Sequence, residues 1–109
     1  MSFISDAEVE RALDYLRDES SSIAQARADR VYAEEYRKSL KAILMNESEA
    51  TSAAMKESEA YAHPKYLDHL KSLKAAVFED ERRRALREAA SMKIDAWRTQ
   101  SASERSFKL

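Results

Sequence analysis

The amino-acid sequence predicts an all-α protein in which two long antiparallel helices are joined by a shorter one. The 109-residue chain has no glycine and one proline, so the turn residues of β-hairpins are missing. No apolar run alternates with polar residues as it would in a half-buried strand. Two long segments instead repeat apolar residues at helical spacing, which favours helices over a sheet.

Local signals place the helix boundaries. Ser5–Glu8 has the S-x-x-E form of a capping box, which predicts that the first helix begins at Asp6. Asn46–Ser48 offers the next cap. Pro64 suits the first turn of a helix, because its missing N–H has no intrahelical partner to lose there. The predicted helices span residues 6–45, 48–62 and 64–100, followed by a flexible tail over 101–109, all within a single domain of residues 1–109.

Each long helix changes its apolar face about halfway along its length. The change falls near Glu19–Gln25 in the first helix and near Glu79–Arg84 in the third. Either each helix breaks at this point, or each stays whole and buries opposite faces in its two halves. Ser22–Gln25 has the capping form S-x-x-Q, which favours a break there, whereas Glu79–Arg84 has no cap or breaker.

Each long helix has apolar residues on two nearly opposite faces, which is more apolar surface than one slim hairpin can bury. We therefore expect a helical hairpin or bundle completed by oligomerisation, most simply a homodimer. One end of the hairpin would pack within the chain and the other against a second copy. The residues expected at the interface between copies are Leu13, Leu16, Leu86, Ile94 and Trp97.

Cationic side chains form a stripe within about 100° of arc on the first helix. Such a stripe is a candidate contact surface for a phosphate backbone or for a protein partner. Acidic residues three or four positions away offer ordinary salt bridging as the alternative. The candidate contact residues are Arg27, Arg30, Arg37, Lys38 and Lys41. Aromatic residues that could stack on bases, but whose spacing is typical of a core, are Tyr32, Tyr36, Tyr61, Tyr66 and Trp97.

The residue types exclude most kinds of enzyme site. Without glycine there is no glycine-rich phosphate loop, and without cysteine there is no thiolate nucleophile. His63 and His69 stand six positions apart, whereas metal ligands on one helix prefer a spacing of three or four. We expect no catalysis, no metal and no cofactor.

The longest apolar runs, such as Ala42–Met45, are only a few residues long. They are too short for a membrane span, and no signal-peptide pattern is present. We therefore expect a cytoplasmic protein that makes no membrane contact.

Three segments resemble a known family: "ADRVYAEEYRKSLKAILM", "EAYAHPKYLDHL" and "KIDAWRTQSASER". They are similar to small helical proteins encoded by tailed phages and prophages, over the stretch from Val9 to Arg105. Genes of this family tend to lie near recombination and replication genes. The resemblance implies an accessory protein that assembles through helices and binds a DNA-processing partner or single-stranded DNA. The alternative is a structural or adaptor module, virion or chaperone-like, with no nucleic-acid role.

Overall fold

The computed structural model describes residues 3–108, and within this range the chain forms four α-helices and no β-strand. The all-α prediction is therefore confirmed. Over the same range, no helix combines the length and apolar character needed to cross a bilayer. The helices are α1 (Asp6–Asp18), α2 (Ser20–Glu47), α3 (Ala53–Ala62) and α4 (Pro64–Lys108).

The capping box at the start of α1 is formed as the sequence predicts. The Ser5 hydroxyl oxygen accepts the backbone N–H of Glu8 at 3.1 Å, and the Glu8 carboxylate accepts the backbone N–H of Ser5 at 3.1 Å. Two amide groups that have no intrahelical acceptor are thereby satisfied. Both partners are local in sequence, so the capping box itself needs no tertiary contact.

Replacing Ser5 with alanine should lower the free energy of unfolding by about 1 kcal/mol, because the amide of Glu8 loses its acceptor. Thermal unfolding followed by circular dichroism measures the change. Ser21→Ala is the matched control, since Ser21 is exposed inside α2 and alanine is the better helix former there. An equal loss of stability in both variants would contradict a capping role for Ser5.

The first predicted helix is two helices, separated at Glu19. Glu19 has φ −100° and ψ 1°, outside the helical range, and its amide still donates to the carbonyl of Tyr15 at 2.9 Å. The Ser20 hydroxyl donates to the carbonyl of Arg17 at 3.2 Å, an alternative to regular helical hydrogen bonding. The break thus precedes Ser22–Gln25, which lies inside α2 and caps no helix.

The short helix begins later than the sequence predicts. Its N-cap is Ser52, whose hydroxyl oxygen accepts the amide of Met55 at 3.2 Å. Asn46 is still part of α2. Ser48 stabilises the connecting loop instead, because its hydroxyl accepts the amide of Ala50 at 3.1 Å and donates to the carboxylate of Glu59. The predicted cap at Asn46–Ser48 was therefore wrong, and residues 48–52 are loop.

The boundary at His63 and Pro64 is where the sequence predicts it. His63 has extended backbone angles, and its Nδ1 accepts the amide of Lys65 at 3.0 Å, which satisfies a free donor of the first turn. At the other end α4 runs on through Ser101 to Lys108. The structure thus has a helix where a flexible tail over 101–109 was expected, because no proline or glycine interrupts the helix; residue 109 lies outside the described range.

The described part of the chain divides into two compact units. Unit 1 comprises the described residues of Met1–Ala24 and Glu81–Leu109, and unit 2 comprises Gln25–Asp80. Both α2 and α4 contribute to each unit. Each unit has its own buried residues, and the two are therefore described separately.

Unit 1 pairs α1 with the C-terminal part of α4 in an antiparallel arrangement. Near one end the side-chain amide of Gln100 accepts the N–H of Ile4 at 3.1 Å and donates to its carbonyl at 2.9 Å. Near the other end Arg83 pairs with Glu19 at 3.4 Å. The buried residues along this pairing are Val9, Ala12 and Ala90.

Unit 2 packs α2, α3 and the first part of α4 around a small apolar cluster. Leu40 and Leu44 of α2 contact Ala60 of α3 and Tyr66 of α4, and half-buried Met45 packs against them. Ala60 is only 1% exposed, so α3 approaches its neighbours at a position where only a small side chain fits. This packing brings one face of α2 alongside the end of α3.

Candidate functional site

An open groove in unit 2 brings together residues from three helices. Its volume is about 590 Å³. Arg37, Lys38 and Lys41 of α2 supply cationic side chains, and Tyr61 of α3 and Tyr66 of α4 supply aromatic rings. Ala42 and Met45 complete the lining. Positive charge and aromatic surface therefore meet at one place.

The three cationic side chains differ in their partners. Lys38 pairs with Glu35 one turn earlier at 3.2 Å, and Lys41 pairs with Glu57 of α3 at 3.3 Å. Arg37 is exposed and forms no ion pair with any residue between 3 and 108. Arg37 is accordingly the cation whose charge is least neutralised by the protein itself.

The two tyrosines have different roles in the groove. Tyr66 is 7% exposed and belongs to the core of unit 2, whereas Tyr61 is 44% exposed. Their rings meet edge to face, with centroids 5.3 Å apart. The Nζ atom of Lys41 lies over the ring of Tyr61, 4.7 Å from its centroid, which is cation–π geometry. Tyr66 thus supports Tyr61, and Tyr61 is the ring that a ligand can reach.

The pKa of Lys41 is raised above its ordinary value, first by a hydrogen bond to Tyr61 and then by Glu57. A raised lysine pKa favours the charged form, so Lys41 stays cationic throughout the neutral range. Its contribution to stability is present at neutral pH and is lost only as the pH rises through this raised pKa. The groove therefore keeps this charge at physiological pH.

The structure separates the five predicted contact residues. Arg37, Lys38 and Lys41 line the groove. Arg30 instead pairs with Glu34 at 2.9 Å and with the buried carboxylate of Asp80 at 3.1 Å. Arg27 is exposed on α2 and is not part of the groove lining.

The predicted oligomer-interface residues all belong to unit 1, but only some of them are exposed. Leu13 is 52% exposed and Leu86 is 42% exposed. Leu16, Ile94 and Trp97 are half-buried within the unit. The ring N–H of Trp97 donates to the carboxylate of Asp6 at 3.0 Å.

The two histidines have structural contacts at separate places. His63 caps α4, and the Nε2 atom of His69 lies 2.7 Å from the carbonyl oxygen of Ala33. That carbonyl only accepts, so Nε2 carries the proton and donates. Between residues 3 and 108, no group of three histidine or acidic side chains is arranged to hold a metal ion.

From the sequence, Tyr61 and Tyr66 could either stack on bases or, as their spacing favours, lie in the core. This interpretation holds for Tyr66, whereas Tyr61 lies at the surface beside Lys41. Glu57 and Tyr61 stand four positions apart on α3, so both face one side of this helix. That spacing was a usable signal, but only the fold shows that this side faces Lys41.

Comparison of the chain with protein-family models, with curated proteins and with solved structures gave no match. The function is therefore inferred from the geometry of the groove.

Proposed function

We propose that this chain is a non-enzymatic accessory protein of phage-type DNA recombination or replication that binds single-stranded DNA in the unit 2 groove. The observation that carries the proposal is the meeting of Arg37, Lys38 and Lys41 with the exposed ring of Tyr61. Proteins that bind single strands without sequence preference combine cations that follow the phosphates with rings on which bases stack.

Single-stranded DNA fits this groove better than duplex DNA does. An aromatic ring at the surface stacks on a base only when that base is unpaired. The apolar lining, Ala42 and Met45, offers no hydrogen-bonding side chain that could read a base edge. We therefore expect binding that is largely independent of sequence, because phosphate contacts carry no base information.

Binding should be weak and salt-dependent. Neutralising about three phosphates of a single strand gives a slope near −2 in a plot of log affinity against log salt concentration. Fluorescence anisotropy with a labelled oligothymidylate measures this slope from low to moderate salt. At low salt, the double variant Arg37→Glu/Lys38→Glu should bind the oligothymidylate at least about tenfold more weakly than the original chain does.

The matched control is Lys71→Glu/Lys74→Glu. Both lysines are exposed on α4, neither lines the groove, and the change in net charge is the same. This control should lose much less affinity than the groove variant. Equal losses in the two variants, or no binding by the original chain at tens of micromolar protein, would contradict the proposal.

A structural or adaptor module is the second candidate function. It is favoured by the ion pairs that already occupy Lys38 and Lys41, and by the exposure of Leu13 and Leu86 in unit 1. In this case the chain acts through protein contacts, with itself or with a DNA-processing protein. A stable dimer in sedimentation equilibrium together with no DNA binding would support this second function.

A further inference from the structure

The carboxylate of Glu57 lies beside the groove and pairs with Lys41, a cation of the groove lining. The Glu57 carboxylate lies 3.3 Å from the Nζ atom of Lys41, where a phosphate oxygen would bind. The same Nζ atom lies 4.7 Å from the ring centroid of Tyr61, on a face where a base would stack. Lys41 therefore contacts both the group at the phosphate position and the ring on which a base would stack.

We infer that Glu57 takes the place of a DNA phosphate on Lys41, and that binding exchanges this carboxylate for a phosphate and frees the ring of Tyr61 for a base. This inference rests on the proposed function, because it assigns the phosphate and base positions of the same groove. Glu57 is then a built-in competitor that limits the affinity for single-stranded DNA.

The exposure of the two partners makes the exchange feasible. The side chain of Lys41 is 29% exposed and that of Glu57 is 49% exposed, so solvent and ions reach the ion pair. An ion pair this exposed is weak. Breaking it to admit a phosphate therefore reduces the affinity for single-stranded DNA by only about fivefold or less. A phosphate replaces Glu57 as the partner of Lys41. If the same phosphate also contacts Arg37, it gains a contact with a second cation.

The first test is Glu57→Gln, which keeps the size of the side chain and removes its charge. It should bind labelled oligothymidylate about two- to fivefold more tightly than the original chain at low salt. Glu49→Gln is the control, because Glu49 is exposed in the loop before α3, forms no ion pair with a cation of the groove lining and gives the same change in net charge. Thermal unfolding of both variants verifies that each is folded.

The second test concerns Tyr61 and uses an oligonucleotide with abasic sites as the comparison probe. Removing the bases should weaken binding to the original chain by about fivefold or more, because one stacked base is lost. Tyr61→Leu should bind the two probes about equally, since leucine offers no ring. Tyr61→Phe keeps the ring and should still distinguish them.

The outcomes separate this inference from the proposed function. If the original chain binds DNA but Glu57→Gln gains no more than Glu49→Gln, the competitor role is wrong and the proposed function stands. If the original chain and Tyr61→Leu lose the same affinity when the abasic probe replaces the probe with bases, the stacking role of Tyr61 is wrong. If neither the original chain nor Glu57→Gln binds any probe, the proposed function itself is overturned.

Discussion

Replacing Leu44 with alanine is expected to lower the free energy of unfolding by about 2–5 kcal/mol. Leu44 is 4% exposed and packs with Leu40, Ala60 and Tyr66, so the shorter side chain leaves a cavity in the core of unit 2. Proteins of this size are stable by only about 5–15 kcal/mol, so the loss is a large fraction of the total. Urea unfolding followed by circular dichroism measures it.

Leu67→Ala is the matched control for this prediction. Leu67 is 46% exposed on α4, so the same chemical change leaves no enclosed cavity. We expect this control to stay within about 0.5 kcal/mol of the original chain. If Leu67→Ala were as destabilising as Leu44→Ala, the assignment of the core to the Leu44 side of unit 2 would be wrong.

Replacing Arg30 with methionine should destabilise the protein by about 1.5–3 kcal/mol, because the buried carboxylate of Asp80 loses a hydrogen bond from a charged group. Asp80 is 4% exposed and its carboxylate lies 3.1 Å from the guanidinium of Arg30. Removing the arginine takes away one partner of this carboxylate and puts an apolar side chain in its place. Chemical denaturation measures the loss, and Arg27→Met, at an exposed position of the same helix, should change stability little.

The double variant Arg30→Met/Asp80→Leu distinguishes the loss of a charge partner from lost packing. If the carboxylate that has lost Arg30 causes the destabilisation, removing it as well should recover part of the stability, because an apolar pair often replaces a buried ion pair at little cost. A double variant that is as unstable as Arg30→Met would show that the carboxylate is not responsible.

The presence of helices, and the helix boundaries that depend on contacts between neighbouring residues, could be predicted from the sequence. The capping box at Ser5 and the start of α4 at Pro64 are both formed as expected. Such features depend on contacts within a few residues, which the sequence shows directly. The sequence left open whether the first helix breaks near Glu19–Gln25, and the N-cap at Ser52 was missed. Serine-rich stretches offer several competing caps, and tertiary packing selects among them.

The groove could be predicted only in part. Helical spacing placed Arg37, Lys38 and Lys41 on one surface, and they do share the groove. The same spacing included Arg30, whose buried partner Asp80 is 50 positions away and therefore lies beyond any pattern of three or four residues. Which face of α2 meets α3 depends on how the two helices rotate as they pack, and a single helix does not show this.

The pairing of α1 with the C-terminal part of α4 in unit 1 limits the order in which the protein can fold during synthesis. Ile4 and Gln100 bond across 96 positions, whereas unit 2 closes within Gln25–Asp80. A nascent chain therefore exposes α1 well before its partner on α4 is synthesised. We expect unit 2 to fold while α1 is still unpaired, and the apolar face around Val9 to be the surface that ribosome-associated chaperones protect until the C-terminal part of α4 emerges.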